Sequence, residues 1–276
     1  MSWLHTEGGA SWSVFVAAFL GVAIWESLRP RAELSESIER RWGRHSLLLL
    51  VSFLVSAVLV PVSPMIVAAS VAGSRYGLLN KPWLPLATRW ILAILILDLA
   101  KYTAHRALHS FHFLWRVHQV HHSDRDFDVS TSVRAHPIEV ILFRGASLAT
   151  IAVFAPPVGA VLVAELTSVF ESFFSHANAT LPAWLQRVLG VILYTPDTHR
   201  IHHSVDIRMQ NSNFGDIFPW WDQILGTYQP PSPAAEIVIG LEENQTGANP
   251  GFTWMLKQPF LKPGSSPPGT EPATSG

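Results

Sequence analysis

The chain contains no cysteine. That absence removes disulfides, zinc ribbons, iron–sulfur clusters and thiolate-bound haem together, so any metal must be held by nitrogen and oxygen. Charge is also scarce, at 14% of 276 residues against 49% hydrophobic. With a mean hydropathy of +0.25, this composition is too apolar for an ordinary soluble domain and points to a bilayer. A formal net charge of −1 leaves no basic surface, so nucleic acid is not an expected partner. No HExxH motif occurs. What the chain does have is long apolar runs and histidines gathered into groups.

The first apolar run, 12–25, ends at Arg29 and Arg31 without a small-residue cleavage site, and reads as a retained anchor, not a signal peptide. The second, 46–73, can span with a kink at Pro61 and Pro64. The third, about 90–109, is lipid-like until Asp98 and carries His105 and His109 in its last turns. Arg29, Arg31, Arg40, Arg41 and Arg44 crowd the loop between the first two spans, whereas the next connection holds Arg75, Lys81 and Arg89. The positive-inside bias places the first loop in the cytoplasm, with its arginines as a topology signal, and brings the histidine end of the third span to the same face. The fourth run, 138–174, is long enough for two passes, with Pro156 and Pro157 at its middle. A helical hairpin that enters from the cytoplasm and returns there puts His136 and His176 beside the other histidines. Beyond Leu181, the segment 195–228 mixes histidines, carboxylates and aromatics as a cytoplasmic cap would.

The expected fold is therefore an all-α integral membrane protein with about four to five membrane helices, a helical hairpin among them, and a cytoplasmic helical cap. A single domain is expected over 1–262, with its histidine core at about 98–228. The final PGSSPPGTEPATSG, 263–276, reads as a disordered tail.

Three histidine groups stand out: His105 and His109 in HRALH, His118, His121 and His122 in HQVHH, and His199, His202 and His203 in HRIHH, with His176 alone in FFSHAN. Imidazole is the commonest protein metal ligand and stays neutral near pH 7, whereas clustering such rings without metal costs solvation and mutual repulsion. Residues four apart share a helix face, so His105 and His109 can reach one ion. In HQVHH and in HRIHH the two adjacent rings point about 100° apart, which suits two separate ions. Thr195, Pro196 and Asp197 read as a helix start for the last group. His136, in RAHPIE, is a further candidate ligand or a neighbour of one. Asp98, seven residues before His105, and Asp124, just after HQVHH, are expected to orient ligand rings by accepting their second proton; Glu165 and Glu171 are alternatives near His176. His5, His45 and His112 are read as ordinary hydrogen-bonded residues, Trp220 and Trp221 as interfacial packing, and NSNFGD, 211–216, as a polar turn in which Gly215 permits a positive φ.

Among metal chemistries, zinc hydrolysis needs fewer ligands than nine and normally shows HExxH. A metal transporter would place ligands near the bilayer midplane. Dioxygen activation at a two-iron centre suits a nitrogen-rich set with open positions. A zinc-dependent hydrolase, or another metal-binding membrane protein without oxygenase activity, is the alternative.

The boxes HRALH, HQVHHS, HAN and HRIHHS, followed by NFG and by W-D-x-x-x-G-T, resemble the fatty acid hydroxylase superfamily in its sterol desaturase branch, over about Asp98 to Tyr228. The resemblance implies an integral membrane enzyme with a non-haem di-iron centre. Such an enzyme uses O2 to hydroxylate or desaturate an unactivated C–H bond of a lipid, whether fatty acyl, sterol or ether lipid. It also implies that His105, His109, His118, His121, His122, His176, His199, His202 and His203 are the ligands, with zinc a substitute in purified protein. Thr180 stands where fatty acid hydroxylases often carry a further histidine. The DRDFDVSTS segment after HHS is similar to that of members acting on ether lipids. No haem domain or cysteine set accompanies these boxes, so electrons are expected from a separate protein: cytochrome b5, a ferredoxin or a reductase.

Overall fold

The computed structural model describes residues 7–74, 76–231, 237–245, 249–262 and 265. His5 and the expected tail at 263–276, apart from residue 265, lie outside them. Among the described residues there is no strand, only the isolated bridges Pro30 with Ala179 and Ser204 with Ile239. The long helices are α1 (Glu7–Leu28), α2 (Ile38–Leu59), α4 (Leu86–Ser110), α6 (Pro137–Phe154) and α7 (Val158–Ser175), with α3 (Pro64–Val71) continuing the line of α2 after a break. The shorter helices are α5 (His112–His122) and α9 (Pro196–His202), which carry histidine groups, and α8 (Ala183–Leu189), α10 (Ile207–Gln210), α11 (Trp220–Leu225) and α12 (Phe252–Lys257).

Four stretches are long and apolar enough to cross a membrane: 8–28, 38–71, 137–154 and 158–175. Their outward faces carry Leu20, Ile24, Phe53, Leu54, Val58, Ile66 and Val153, all exposed. Between the second span's two pieces the backbone leaves the helix at Val60 and restarts with Ser63 as N-cap, its hydroxyl accepting from the Ile66 amide at 3.2 Å. The prolines expected to kink this span do so because neither can continue the i→i−4 ladder. Lipid is as apolar as leucine, so helix contacts here depend on close approach. The α3–α4–α6–α7 contact accordingly uses small residues, with Ala68 and Ala164 beside Leu97, Ile151 and Val161. A second contact joins α1 to α7 through Ala18, Val22, Ala23 and Phe173.

The hairpin turns where it was expected. Ala155 caps α6 in the left-handed region, φ 49°, and Pro156 and Pro157 lead into α7. Gly77, at φ +84°, lies against this tip; a Cβ there would stand 2.5 Å from Ala155 Cβ and 2.9 Å from Phe154 O. The α4 helix, expected as the third span, is 25 residues and about 37 Å long, more than a hydrocarbon layer of about 30 Å, but it is not among the four stretches apolar enough to cross. Its histidine end meets α5, the start of α6, the end of α7 and α9 at one end of the bundle.

That end is tied to the start of α2, where Arg41 lies, by a charge cluster that the arginine pattern did not reveal. Arg41 is fully buried, not a solvent-facing topology marker. Its guanidinium donates to Asp124 at 2.7 Å, Asp126 at 3.2 Å and Asp128 at 3.0 Å. Asp128 also caps the 3-10 turn Val129–Val133 through a capping box with Thr131. His45, expected to be an ordinary hydrogen-bonded residue, meets Ser130 Oγ at 2.8 Å and Arg134 at 3.0 Å. Burial alone would push the Asp124 carboxyl up, but the adjacent Arg41 and Arg134 hold it well below the usual carboxylate range. Removing one partner of such a group strands buried charge. Arg41→Ala is expected to cost about 3–5 kcal/mol, and Arg41→Lys less; chemical unfolding of the purified protein in detergent measures both.

Candidate metal centre

Helix phase decides how the histidines divide. His118 and His122, four apart on α5, share a face, whereas His121 is turned about 100° away; the same rotation separates His202 from His203. The nine rings thus fall into two groups, His105, His109, His118, His122 and His202 in one and His121, His176, His199 and His203 in the other. Within each group one ligand atom per residue lies within 4.8 Å of all the others. All are buried except His109, which is half-buried. Every ring of the three boxes and His176 is therefore brought together, in the two-ion division that the adjacent-ring geometry implies.

Most rings are aimed by a bond from the nitrogen that faces away from the group. His105 Nδ1 donates to Phe214 O at 2.9 Å, His176 Nδ1 to Ser172 O at 2.7 Å, His202 Nδ1 to Ser212 O at 2.8 Å and His121 Nδ1 to Arg134 O at 3.3 Å. His118 Nδ1 meets a carboxylate, Glu139 Oε1, at 2.8 Å. The inward nitrogens then face each other: His105 and His118 at 3.0 Å, His118 and His122 at 3.3 Å, His121 and His176 at 3.2 Å, His176 and His199 at 3.1 Å.

Burial, reinforced by neighbouring rings, keeps His121, His122, His199, His202 and His203 well below the usual imidazole range, and burial alone takes His118 down to about 3. The rings are neutral at pH 7, with lone pairs free. Ring nitrogens of His109, His122, His199, His202 and His203 have no hydrogen-bond partner. An unsatisfied buried polar atom costs about 1–3 kcal/mol, so this concentration of them fits a site built for two metal ions. Aromatic rings close the groups. Phe214 packs on His105, His109 and His202, and Phe127 on His176 and His203.

Several expected orienting residues sit elsewhere. Asp98 accepts from the Ile217 amide at 2.8 Å, the Phe218 amide at 3.3 Å and Trp221 Nε1 at 2.8 Å, so it anchors a loop instead of a ring. Asp124 is taken up by Arg41, the buried partner described above, and lies 3.4 Å from His45, not from a clustered ring. Glu165 accepts from Ser147 at 3.2 Å, and Glu171 is fully buried with no hydrogen-bond partner. His136 caps α6 by accepting from Ile138 N at 3.2 Å and donates to Leu256 O at 3.3 Å; it belongs to neither group. Thr180 is exposed and bonds back to Arg29, away from the rings.

Two residues escaped the sequence reading. Glu139 was legible as an acid on an apolar span, which is expensive unless paired. Asp222 is fully buried and accepts from the Phe214 and Gly215 amides at 2.9 Å each, from Thr227 at 2.6 Å, and from Tyr194. It holds the loop that presents Phe214 O to His105, which gives the W-D-x-x-x-G-T motif a physical role. In that loop Asn213, not Gly215, takes the positive φ, at 57°. Gly215 is needed for close approach instead, since a Cβ would stand 2.7 Å from Phe218 O and run into the Tyr194 ring.

The sequence profile of the fatty acid hydroxylase family matches residues 90–227, half of the chain and all nine clustered histidines. The chain belongs to the fatty acid hydroxylase family. Ornithine lipid hydroxylase OlsE of Rhizobium tropici is 28% identical over 91% of this chain and 76% of its own length. Human alkylglycerol monooxygenase is 30% identical over 60% of this chain and 36% of its own, so the chain spans about a third of that protein. The very-long-chain aldehyde decarbonylase GL1-11 of Oryza sativa is 26% identical over 56% of this chain and 58% of its own length. No solved structure matches. Family and relatives together describe a membrane oxidoreductase directed at lipids.

Replacing one ligand in each group separates the two ions. His109→Ala and His199→Ala are each expected to lower bound metal from two per chain toward one, read by mass spectrometry of anaerobically purified protein. Glu139→Gln keeps the rings in place and is expected to weaken metal binding by about 10- to 100-fold.

Proposed function

We propose that this protein is a membrane di-iron oxygenase that hydroxylates a C–H bond of a lipid. The observation that carries the reading is the pair of largely buried neutral-imidazole groups lining one side of a cavity of about 420 Å³. Nitrogen donors suit iron as well as zinc; a two-ion site without HExxH favours redox chemistry over hydrolysis. His105, His109, His118, His122 and His202 hold one iron, and His121, His176, His199 and His203 the other. Bound iron supplies O2 activation and attack on an unactivated C–H bond. In overall balance, O2, two electrons and two protons convert the C–H bond to an alcohol and water.

The chain's own residues do the rest. Carbonyls of Ser172, Arg134, Phe214 and Ser212 keep the outward nitrogens of His176, His121, His105 and His202 protonated and their inward lone pairs free. Phe127 and Phe214 exclude water from the faces of the rings. The cavity is lined by His105, His118, His121, His176 and His199 at one side and by Val140, Phe143 and Val169 at another. It lies between α4, α6 and α7, so a lipid can enter from between spans that face the bilayer.

The basic first loop sits at the same end as the histidines. Arg31 N donates to Asn178 O at 2.9 Å, two residues beyond His176. Positive-inside topology then supports a cytoplasmic metal site, where a separate soluble electron donor docks.

Protein purified without oxygen is expected to hold two irons per chain and to consume O2 when supplied with a reductant and a lipid extract. His121→Ala and His202→Ala are expected to abolish turnover. One tightly held zinc, indifferent to O2, would replace this reading with a zinc-dependent hydrolase. Comparative lipidomics of cells with and without the protein identifies the product.

A further inference from the structure

The cavity beside the histidines is not uniformly apolar. One wall carries Lys101, Glu165, Ser168 and Asp216, four polar side chains that neither metal group uses. Lys101 lies on α4 one helical turn, about 5–6 Å, before His105. Its ammonium donates to Ser168 Oγ at 2.6 Å and lies 3.5 Å from Asp216 Oδ2 and 3.8 Å from Glu165 Oε2. A lysine has three N–H donors and no acceptor, so these neighbours occupy its hydrogen-bonding capacity.

The carboxylates are in the opposite condition. Asp216 Oδ2 is buried with only the long Lys101 ion pair at 3.5 Å, and Glu165 Oε1 accepts from Ser147 while Oε2 has only the same lysine at 3.8 Å, so one ammonium is shared between two carboxylates. Both side chains keep about a quarter of their surface open, 25% and 24%. Glu139 lines the same cavity, and its Oε2 also has no partner. Lys101 is the only lysine or arginine among the lining residues, against three carboxylates. Surplus acceptors buried in a pocket are costly until a donor reaches them.

Resting on the oxygenase reading above, we infer that Glu165 and Asp216 form a headgroup subsite for a lipid that offers hydrogen-bond donors, hydroxyl or amine, and carries no net negative charge. Lys101 holds the two carboxylates in place and repays part of their burial. A plain hydrocarbon chain or an anionic headgroup leaves the acceptors unpaired, which is how the pocket selects. The donor headgroup is thereby seated about one helical turn from His105, with the rest of the lipid led away past Val140, Phe143 and Val169.

The test is equilibrium binding to metal-loaded wild-type protein in nanodiscs, kept anaerobic and without an electron donor so that no turnover is required. The probes are monododecanoylglycerol, its O-methylated analogue without donors, and dodecyl phosphate. Monododecanoylglycerol is expected to bind about tenfold more tightly than either of the others. Asp216→Asn and Glu165→Gln are expected to erase that preference. In Lys101→Gln the preference for monododecanoylglycerol over dodecyl phosphate is expected to persist, since the lysine receives neither headgroup. The inference is overturned if the methylated analogue matches the parent, or if dodecyl phosphate binds best and loses affinity in Lys101→Gln, which would make the lysine an anion receptor. A donor preference in protein that takes up no O2 would leave this subsite standing and remove the oxygenase reading instead.

Discussion

Nine imidazoles, eight of them buried and His109 half-buried, gather into two groups, with inward nitrogens near 3 Å apart between His105 and His118 and between His176 and His199. Five of the rings, His105, His118, His121, His176 and His202, are held from behind. A neutral imidazole has one donor and one acceptor nitrogen, so a carbonyl or carboxylate accepting from the outer nitrogen leaves the inner one as a lone pair. Much of the local structure around the rings serves this requirement. The C-terminal turn of α7 supplies Ser172 O, the segment before α6 supplies Arg134 O, and the loop after α10 supplies Ser212 O and Phe214 O.

Those carbonyls come from segments far apart in the chain, and each needs its own support. The loop after α10 is held by two carboxylates: Asp98 takes the Ile217 and Phe218 amides from below, and Asp222 takes the Phe214 and Gly215 amides from within. The segment before α6 is held through Arg134, whose guanidinium bonds Val120 O at 2.9 Å and Ser123 Oγ at 2.7 Å. Behind it, Arg41 gathers Asp124, Asp126 and Asp128 and so fastens the start of α2 to the segment after α5. A buried ion cluster contributes little net stability against an apolar equivalent. Its value here is positional, because it fixes the register between α2 and the strand of residues that follows HQVHH.

The same logic explains which readings from the sequence carried over. Periodicity is a local property, so the helical hairpin about Pro156 and Pro157, the break near Pro61 and Pro64, and the division of His121 from His122 were all legible. The roles of Asp98 and Asp124 were not, because a carboxylate seven residues from a histidine on one helix face is equally able to reach a loop packed alongside. Asp98 meets Trp221, 123 positions away, and no spacing rule relates the two. Arg41 was hidden for a related reason: among five arginines of one loop, composition cannot tell which is buried. Glu139 stood in plain view as an acid within an apolar span and was passed over in favour of residues nearer the boxes.

What the order of residues determined alone is therefore the inventory and the phase: a chain without thiolates, apolar enough for a bilayer, with nine imidazoles at offsets that can serve two ions. Which imidazoles share an ion, which backbone carbonyls aim them, and which polar groups line the neighbouring cavity came from the packing of α4, α6, α7 and α9 against one another. The reason is physical: helix phase is set within a few residues by backbone geometry, whereas the partner of a buried proton is set by whatever distant segment closes over it.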